Sequence, residues 1–260
     1  PSMQRFRIGL ILTIALAALS LSAACRPGPF GGASAMDSKG RAQNYLARGI
    51  TDAQQGRPEQ ALAEFDEAIR LDPKLAAAYY GRGVVSRRLG RDDTALADLT
   101  RAVELDPKNA DAFNERAIAN YDRGDLQGAL TDYDRAIELA PDDPYYWSNR
   151  GNVNFALHKY SDAIRDTTRA IALNGKMASP YVVRGMSLIE TGNADSAIGD
   201  LDAAIGLDPK MADAYYNRGV AFARHGDNGK AVSDFKRYLE LVPGASNVAE
   251  VRKLILQLSP

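Results

Sequence analysis

Ionisable side chains recur along this chain at a fixed interval. An arginine returns every 34 residues, and an acidic residue follows each arginine by 16 positions. A guanidinium presents a planar fork of donors that matches the two oxygens of a carboxylate, so this spacing suits paired hydrogen bonds between opposite charges. The arginines are Arg48, Arg82, Arg116, Arg150, Arg184 and Arg218, and the acids are Glu64, Asp98, Asp132, Asp166, Asp200 and Asp234. We predict a structural ladder with one ion pair per repeat; the alternative is that some arginines face a groove and bind an acidic ligand.

Catalytic chemistry has little support in the sequence. The two histidines, His158 and His225, occupy turn positions of different repeats, so they are not expected to share a metal ion or a catalytic triad. The sequence contains no phosphate-binding glycine-rich loop, GxSxG motif or HExxH motif. We therefore expect a protein that is not an enzyme and has no cofactor and no metal site.

The charge balance and the cysteine content exclude further classes of function. The chain has 32 Lys and Arg residues against 33 Asp and Glu residues, a formal net charge of -1, which does not favour nucleic-acid binding. Cys25 is the only cysteine, so neither an intrachain disulfide nor a cysteine metal site can form.

The N-terminal residues 1–25 have the pattern of a signal peptide. Two arginines precede the apolar run from Ile8 to Leu19, and small residues then lead to Cys25. The sequence LSAAC resembles a bacterial lipobox, which implies lipidation of Cys25. Two alternatives stay open, namely a soluble periplasmic product cleaved after Ala24 and an uncleaved anchor, because the apolar run approaches the length that spans a membrane. Residues 26–41 are rich in Gly, Pro and small side chains and predict a flexible linker.

The elements that position the arginines and acids are predicted to be paired helices in a 34-residue repeat. We divide the chain into six units, 42–75, 76–109, 110–143, 144–177, 178–211 and 212–245, and number the positions of each unit from 1 to 34. Position 4 is always aromatic and position 20 is always alanine, while position 15 is glycine in all units but the fourth, which has His158. Glycine at position 15 ends the first helix, and proline near position 32 ends the second. A period of this length is typical of a solenoid of stacked units.

This pattern resembles the tetratricopeptide repeat (TPR) family, whose units have an aromatic residue at position 4, Gly or Ala at position 8, Ala at positions 20 and 27 and Pro at position 32. The resemblance implies an all-α, right-handed superhelix of six helix-turn-helix repeats whose first helices line a concave groove. Residues 246–260 carry apolar residues at helical spacing and predict a C-terminal capping helix.

Groove-lining residues are expected at positions 2, 5, 6, 9, 12 and 13 of the repeats. The family's clamp for C-terminal carboxylates requires a basic residue at position 5 and Asn at position 9; no position 5 is basic here, so that clamp is absent. Aromatic, Arg and Asn side chains suit the recognition of a peptide or protein, although some could serve packing instead. The candidates are Tyr80, Arg87, Arg88, Asn114, Tyr121, Tyr145, Asn149, Asn152, Phe155, Tyr216 and Asn217.

Together these features predict a scaffold at the bacterial cell envelope. We expect a periplasm-facing lipoprotein that binds other proteins or peptides in its groove and is attached to a membrane by an N-terminal lipid or signal anchor. Two other hypotheses are a module that binds a glycan or polysaccharide and a structural protein that self-associates into a homo-oligomer.

Overall fold

The computed structural model describes residues 38–259, and all regular structure in that range is α-helical. The predicted signal peptide with Cys25 and residues 26–37 of the predicted linker lie outside the described residues. Helix α1 begins at Ser38, so the last residues that we assigned to the linker, 38–41, are helical. They contain no proline, and α1 therefore extends by about one turn before the first repeat.

Consecutive helices pack as pairs, and the pairs stack in the order of the sequence. This arrangement confirms the predicted all-α superhelix of six helix-turn-helix repeats followed by one further helix. The helices in the described residues are α1 Ser38–Gln54, α2 Pro58–Leu71, α3 Ala76–Arg88, α4 Asp92–Leu105, α5 Ala110–Asp122, α6 Leu126–Leu139, α7 Pro144–Ala156, α8 Tyr160–Leu173, α9 Ala178–Glu190, α10 Ala194–Leu207, α11 Ala212–His225, α12 Asn228–Leu241 and α13 Val248–Leu258.

Within a pair, the two helices approach closely because position 8 has little or no side chain. A Cβ added at Gly49 would lie 2.6 Å from Cε1 of Phe65, and one added at Gly219 would lie 2.8 Å from Cε1 of Phe235. The large residue at position 24 thus occupies the space that a side chain at position 8 would take. Both rings are only 1% exposed, so each pair has a close-packed interior.

The turn between the two helices of a pair requires a residue with positive φ. Gly90 has a φ of +72°, and the glycines at the same position of four other repeats also have positive φ. This left-handed conformation is accessible to glycine without the steric cost of a Cβ. In the fourth repeat His158 adopts it with a φ of 59°, and Nδ1 of His158 lies 2.7 Å from the Tyr160 hydroxyl.

An arginine at position 7 joins the two helices of each repeat. In the second repeat, Nε and Nη2 of Arg82 donate to the two carboxylate oxygens of Asp98 at 2.8 and 2.7 Å. The guanidinium also lies over the ring of Tyr79, 5.7 Å from its centroid. The pKa of Arg82 is raised, mainly by its hydrogen bonds to Asp98, so the guanidinium stays protonated. The same paired contact occurs in Arg116 with Asp132, Arg150 with Asp166, Arg184 with Asp200 and Arg218 with Asp234.

In four of the six repeats the same arginine also contacts the preceding repeat. Nη1 of Arg82 donates to Asp66 at 2.6 Å, and Asp66 stands at position 25 of the repeat before. Arg150 reaches Asp134 and Arg218 reaches Asp202 in the same way, while Arg184 donates to the hydroxyl of Thr168 at 3.1 Å. We call this series of contacts the arginine ladder. It connects helices within repeats and also holds neighbouring repeats together.

The first rung of the arginine ladder differs from the others. Arg48 forms an ion pair with Glu64 through Nη2, but its side chain is 63% exposed, against 15–24% for the other five arginines. The second carboxylate oxygen of Glu64 is buried and has no hydrogen-bond partner among the described residues. The acid of this rung is a glutamate, which is one methylene longer than the aspartate of the other five rungs.

Both ends of the stack differ from its interior. In repeats two to six, the side chains at positions 3 and 10 pack against the preceding repeat and are buried, as Ala78 and Val85 are. In the first repeat the same positions carry Asn44 and Thr51, which are exposed. At the other end Val251 of α13 is fully buried against α12, and Leu254, Ile255 and Leu258 pack around the same cluster. Each terminal face is therefore either polar or covered by a helix.

A loss of the carboxylate at Asp132 tests the ladder within a repeat. Asp132 is 3% exposed and accepts from Arg116 and from Nδ2 of Asn120 at 3.1 Å. Asp132→Ala should lower the free energy of unfolding by about 2–4 kcal/mol, because a largely buried guanidinium loses its partner. The control Asp134→Ala removes an acid that is 58% exposed and should cost less than about 1 kcal/mol. Urea denaturation of both variants decides the point, and equal losses would contradict a buried ladder.

The turn glycine and a helix glycine should respond oppositely to the same substitution. Gly90→Ala should destabilise the protein by about 1 kcal/mol, since Gly90 has a φ of +72°. Gly199 lies inside α10, is exposed, and has no atom within 4 Å of an added Cβ. Gly199→Ala should therefore stabilise by about 0.5–1 kcal/mol. Thermal unfolding measures both, and a shift of the same sign for the two variants would show that backbone conformation is not the deciding factor.

Candidate functional site

The first helices of the repeats lie on the inner side of the superhelix. Helix α1 packs with α3, α3 with α5, α7 with α9, and α9 with α11. In the described part of the chain, second helices of neighbouring repeats do not pack to this extent. The first helices are therefore closer together, which places them on the concave side of the curve. Their side chains at positions 2, 5, 6, 9, 12 and 13 recur on one helix face because the spacing is close to 3.6 residues per turn.

The predicted groove residues differ widely in exposure. Arg88 and Tyr145 are exposed, whereas Asn114 is buried and only 8% exposed. The remaining candidates are half-buried, and they are Tyr80, Arg87, Tyr121, Asn149, Asn152, Phe155, Tyr216 and Asn217. The groove therefore offers fewer free side chains than the repeat positions alone suggest.

Arg87 contacts protein groups inside the groove wall. Its Nη2 donates to Oε2 of Glu115 in the next repeat at 2.7 Å, and its Nη1 lies 3.9 Å from Asp122. Burial disfavours the charge on Arg87, but the attraction of Glu115 outweighs it and the pKa of Arg87 is raised. Glu115 itself is only 8% exposed. Arg87 thus joins the second and third repeats and is not a free cation for a ligand.

A group of polar side chains fills the junction between α5 and α7. Nδ2 of Asn149 donates to Oδ1 of Asn114 at 3.1 Å, and the Tyr146 hydroxyl donates to Oδ1 of Asp111 at 2.6 Å. Burial, reinforced by the bond to Asp111, raises the pKa of Tyr146. Together with Glu115 these residues form what we call the polar seam. It lies at the middle of the array, where the third and fourth repeats meet.

Helix α7 presents four groove candidates along one face. Tyr145, Asn149, Asn152 and Phe155 are separated by four, three and three residues, so they follow one side of the helix. Tyr145 is 40% exposed. Nδ2 of Asn152 donates to the carbonyl of Ser148 at 3.1 Å, and the ring of Phe155 lies 5.6 Å from that of Tyr160. We call these four residues the α7 stripe.

The candidates in the last repeat are partly used in packing. The ring of Tyr216 lies 5.8 Å from Phe235 and 5.2 Å from Tyr238. Nδ2 of Asn217 donates to the backbone carbonyl of Asp213 at 2.8 Å. Tyr216 therefore supports the C-terminal core, and less of it is available to a ligand than of Tyr145.

The two histidines are in separate local contacts. Nδ1 of His225 lies 2.8 Å from the carboxylate of Asp195, and His158 contacts Tyr160. Within residues 38–259, no group of three or more His, Cys, Asp or Glu side chains is arranged to hold a metal ion. In the same range, no helix has the length and apolar character needed to cross a membrane.

Three members of the polar seam, Asp111, Glu115 and Tyr146, were not among the predicted site residues. Tyr146 stands at position 3, where the second, third and sixth repeats have alanine, so a large residue at a position of small ones was the available signal. The two acids stand at positions 2 and 6, which are groove positions. They were missed because the groove candidates are aromatic, Arg and Asn residues, and acids are not among them.

Comparison with known families identifies the repeat. Residues 46–110 and 182–246 match the family described as Tetratricopeptide repeat, and residues 119–158 match a second family described as TPR repeat. The first of these families covers half of the chain. Comparison with curated protein sequences finds no match.

Solved structures support the same fold. A chain of the APC/C hetero-tetramer Cut9-Hcn1 aligns with a TM-score of 0.72 and 19% identity. The alignment covers 85% of the present chain but only 43% of the Cut9-Hcn1 chain. YrrB, a TPR protein with an unusual peptide-binding site, aligns with a TM-score of 0.59 and 24% identity, covering 73% of this chain and 97% of YrrB. PilW, a type IV pilus biogenesis factor, aligns with a TM-score of 0.72 and 15% identity, covering 81% of this chain and 98% of PilW.

The helix pairs, their 34-residue period and the family matches agree with one another. This chain belongs to the tetratricopeptide repeat family.

Proposed function

We propose that this chain is a non-catalytic adaptor of the bacterial cell envelope that binds partner proteins or peptides in its concave groove. The observation that carries the proposal is the α7 stripe, whose Tyr145 is 40% exposed on the inner face and whose two amides are half-buried beside it. An aromatic anchor beside amide groups is suited to a peptide, which needs both apolar contact and partners for its backbone. The description of YrrB as peptide-binding supports this use of a TPR array.

Attachment to the envelope is proposed from the N-terminal sequence. Arg5 and Arg7, the apolar run from Ile8 to Leu19 and Cys25 follow the order of a lipoprotein signal peptide. A linker after Cys25 would let the repeats stand away from the membrane and reach partners.

Self-association through the ends of the array is a less favoured function. Where repeats stack on one another, the side chains at positions 3 and 10 are buried, whereas the first repeat has exposed Asn44 and Thr51 there. Helix α13 covers the last repeat. Binding of a glycan at Tyr145 and the neighbouring amides is the second candidate, because aromatic faces and amides also suit sugars.

Affinity capture from detergent-solubilised envelopes tests the groove. The double variant Tyr145→Ala and Asn152→Ala should lose at least one partner that the wild-type chain recovers, because it removes the exposed aromatic anchor and one amide of the α7 stripe. The matched control, Leu207→Ala with Gln127→Ala, changes two exposed residues of second helices and should keep all partners. Recovery of the same proteins by all three baits would overturn the groove function, and loss of binding to an oligosaccharide array without loss of proteins would favour the glycan alternative.

Metabolic labelling with a palmitate analogue tests the membrane attachment. The wild-type chain should incorporate the label and Cys25→Ala should not, because the lipid is attached to the cysteine thiol. Globomycin should leave a labelled precursor of higher mass, because it blocks the cleavage that follows lipid attachment. An unlabelled wild-type chain that is released in the soluble fraction would contradict the lipoprotein proposal.

A further inference from the structure

The α7 stripe differs in chemistry from the same face of the neighbouring first helices. In α9 the positions that correspond to the last three residues of the stripe carry the apolar Val183, Met186 and Ile189, and Val183 and Ile189 are buried at 3–5% exposure. In α7 the same face has two amides between two aromatic rings, and Tyr145 is one of the few large apolar side chains that are exposed. The middle of the groove is therefore polar and accessible, while the next repeat is closed by packing.

The amides of the α7 stripe have hydrogen-bonding capacity that the protein does not use. Asn152 donates one N–H to Ser148, and Asn149 donates one N–H to Asn114. Within the described part of the chain, Oδ1 of Asn149 and Oδ1 of Asn152 accept no hydrogen bond. An amide side chain supplies both a donor and an acceptor, which is what the backbone of an extended peptide requires.

Two carboxylates stand at the N-terminal end of the α7 stripe. Asp143 accepts from the backbone N–H of Tyr145 at 2.8 Å, and Asp111 accepts from the Tyr146 hydroxyl at 2.6 Å. No Lys, Arg or His in residues 38–259 forms an ion pair with either of them. Burial raises the pKa of Asp143, and the charge of nearby Asp111 adds to the effect. We call this pair the acidic rim.

Two other groove acids are paired within the protein, whereas Asp213 of α11 forms no ion pair among the described residues. Glu115 is paired with Arg87 at 2.7 Å, and Glu190 is paired with Arg224 at 3.0 Å. A cation placed at the acidic rim would relieve the repulsion between its two carboxylates, whereas an acidic ligand would increase it. The charge of the middle groove is thus complementary to a basic residue.

We propose that the middle of the groove binds an extended peptide segment that carries a lysine or arginine, with its backbone on the amides of the α7 stripe and its cation at the acidic rim. This proposal rests on the proposed groove function and adds the chemistry of the partner. The ring of Tyr145 lies next to the acidic rim in sequence and would cover the aliphatic stem of the basic side chain.

Three pools of short degenerate peptides with blocked ends, whose central residue is lysine, norleucine or glutamate, are suitable probes. Fluorescence anisotropy with the full chain in detergent should show that the lysine pool binds about 3- to 10-fold more tightly than the norleucine pool at low salt, as expected for charges at a partly desolvated interface. The preference should shrink as the salt concentration rises, because the charges are screened.

The variant Asp111→Asn with Asp143→Asn should abolish the preference for lysine. Asparagine keeps the cap of α7 and the acceptor for Tyr146, so the fold is expected to survive. The control Glu104→Gln with Glu138→Gln makes the same change in net charge on exposed residues of α4 and α6 and should leave the preference intact.

Two outcomes separate this proposal from the groove function. If the norleucine or glutamate pool binds as tightly as the lysine pool, and Tyr145→Ala with Asn152→Ala weakens that binding, the basic partner is wrong while the groove function stands. If no pool binds more weakly to the Tyr145→Ala and Asn152→Ala variant than to the wild type, both proposals are overturned.

Discussion

An arginine that contacts three groups at once is the interaction on which the array depends. Arg150 donates to both oxygens of Asp166 within its repeat and to Asp134 of the repeat before, and its guanidinium lies 4.9 Å from the ring centroid of Trp147. Asp166 is completely buried, so its charge is tolerable only because paired donors and Asn154 satisfy it. The repeat therefore has a polar centre that fixes how its two helices meet and how it docks on its neighbour.

The arginine ladder does not occupy the inner faces of the first helices, so side chains on those faces can serve binding. The arginines at position 7 bind toward the second helices, whereas the α7 stripe and the polar seam lie on the concave side. The polar seam joins α5 to α7 through Asn114 and Asn149, whereas positions 5 and 6 of the fifth repeat are the buried aliphatic residues Val182 and Val183. A superhelix whose arginine ladder and apolar core lie away from the groove can vary its groove chemistry from repeat to repeat.

The sequence period predicted the fold well, because the number of repeats, the helix pairs and the turns are all local consequences of residue type at fixed spacing. The site was harder to predict. Asn114 has a groove position but is buried, since the next repeat covers it with Asn149, and Arg87 is held by Glu115. A position number describes one repeat, whereas exposure depends on the repeat beside it. The contact from Arg82 to Asp66 was not predicted either, because position 25 is Asp in three units, Thr in two and Lys in the last, and so has no uniform residue type.

Replacing Arg150 with lysine tests the central claim most directly. Lysine keeps the positive charge but has no planar fork, so it cannot bond both oxygens of Asp166 and also reach Asp134. Our account predicts that Arg150→Lys lowers the free energy of unfolding in urea by about 1–3 kcal/mol, as expected when charge-assisted hydrogen bonds in a buried network are lost. An unchanged free energy of unfolding would mean that a charge at this position is sufficient, and it would contradict the role that we assign to the geometry of the arginine ladder.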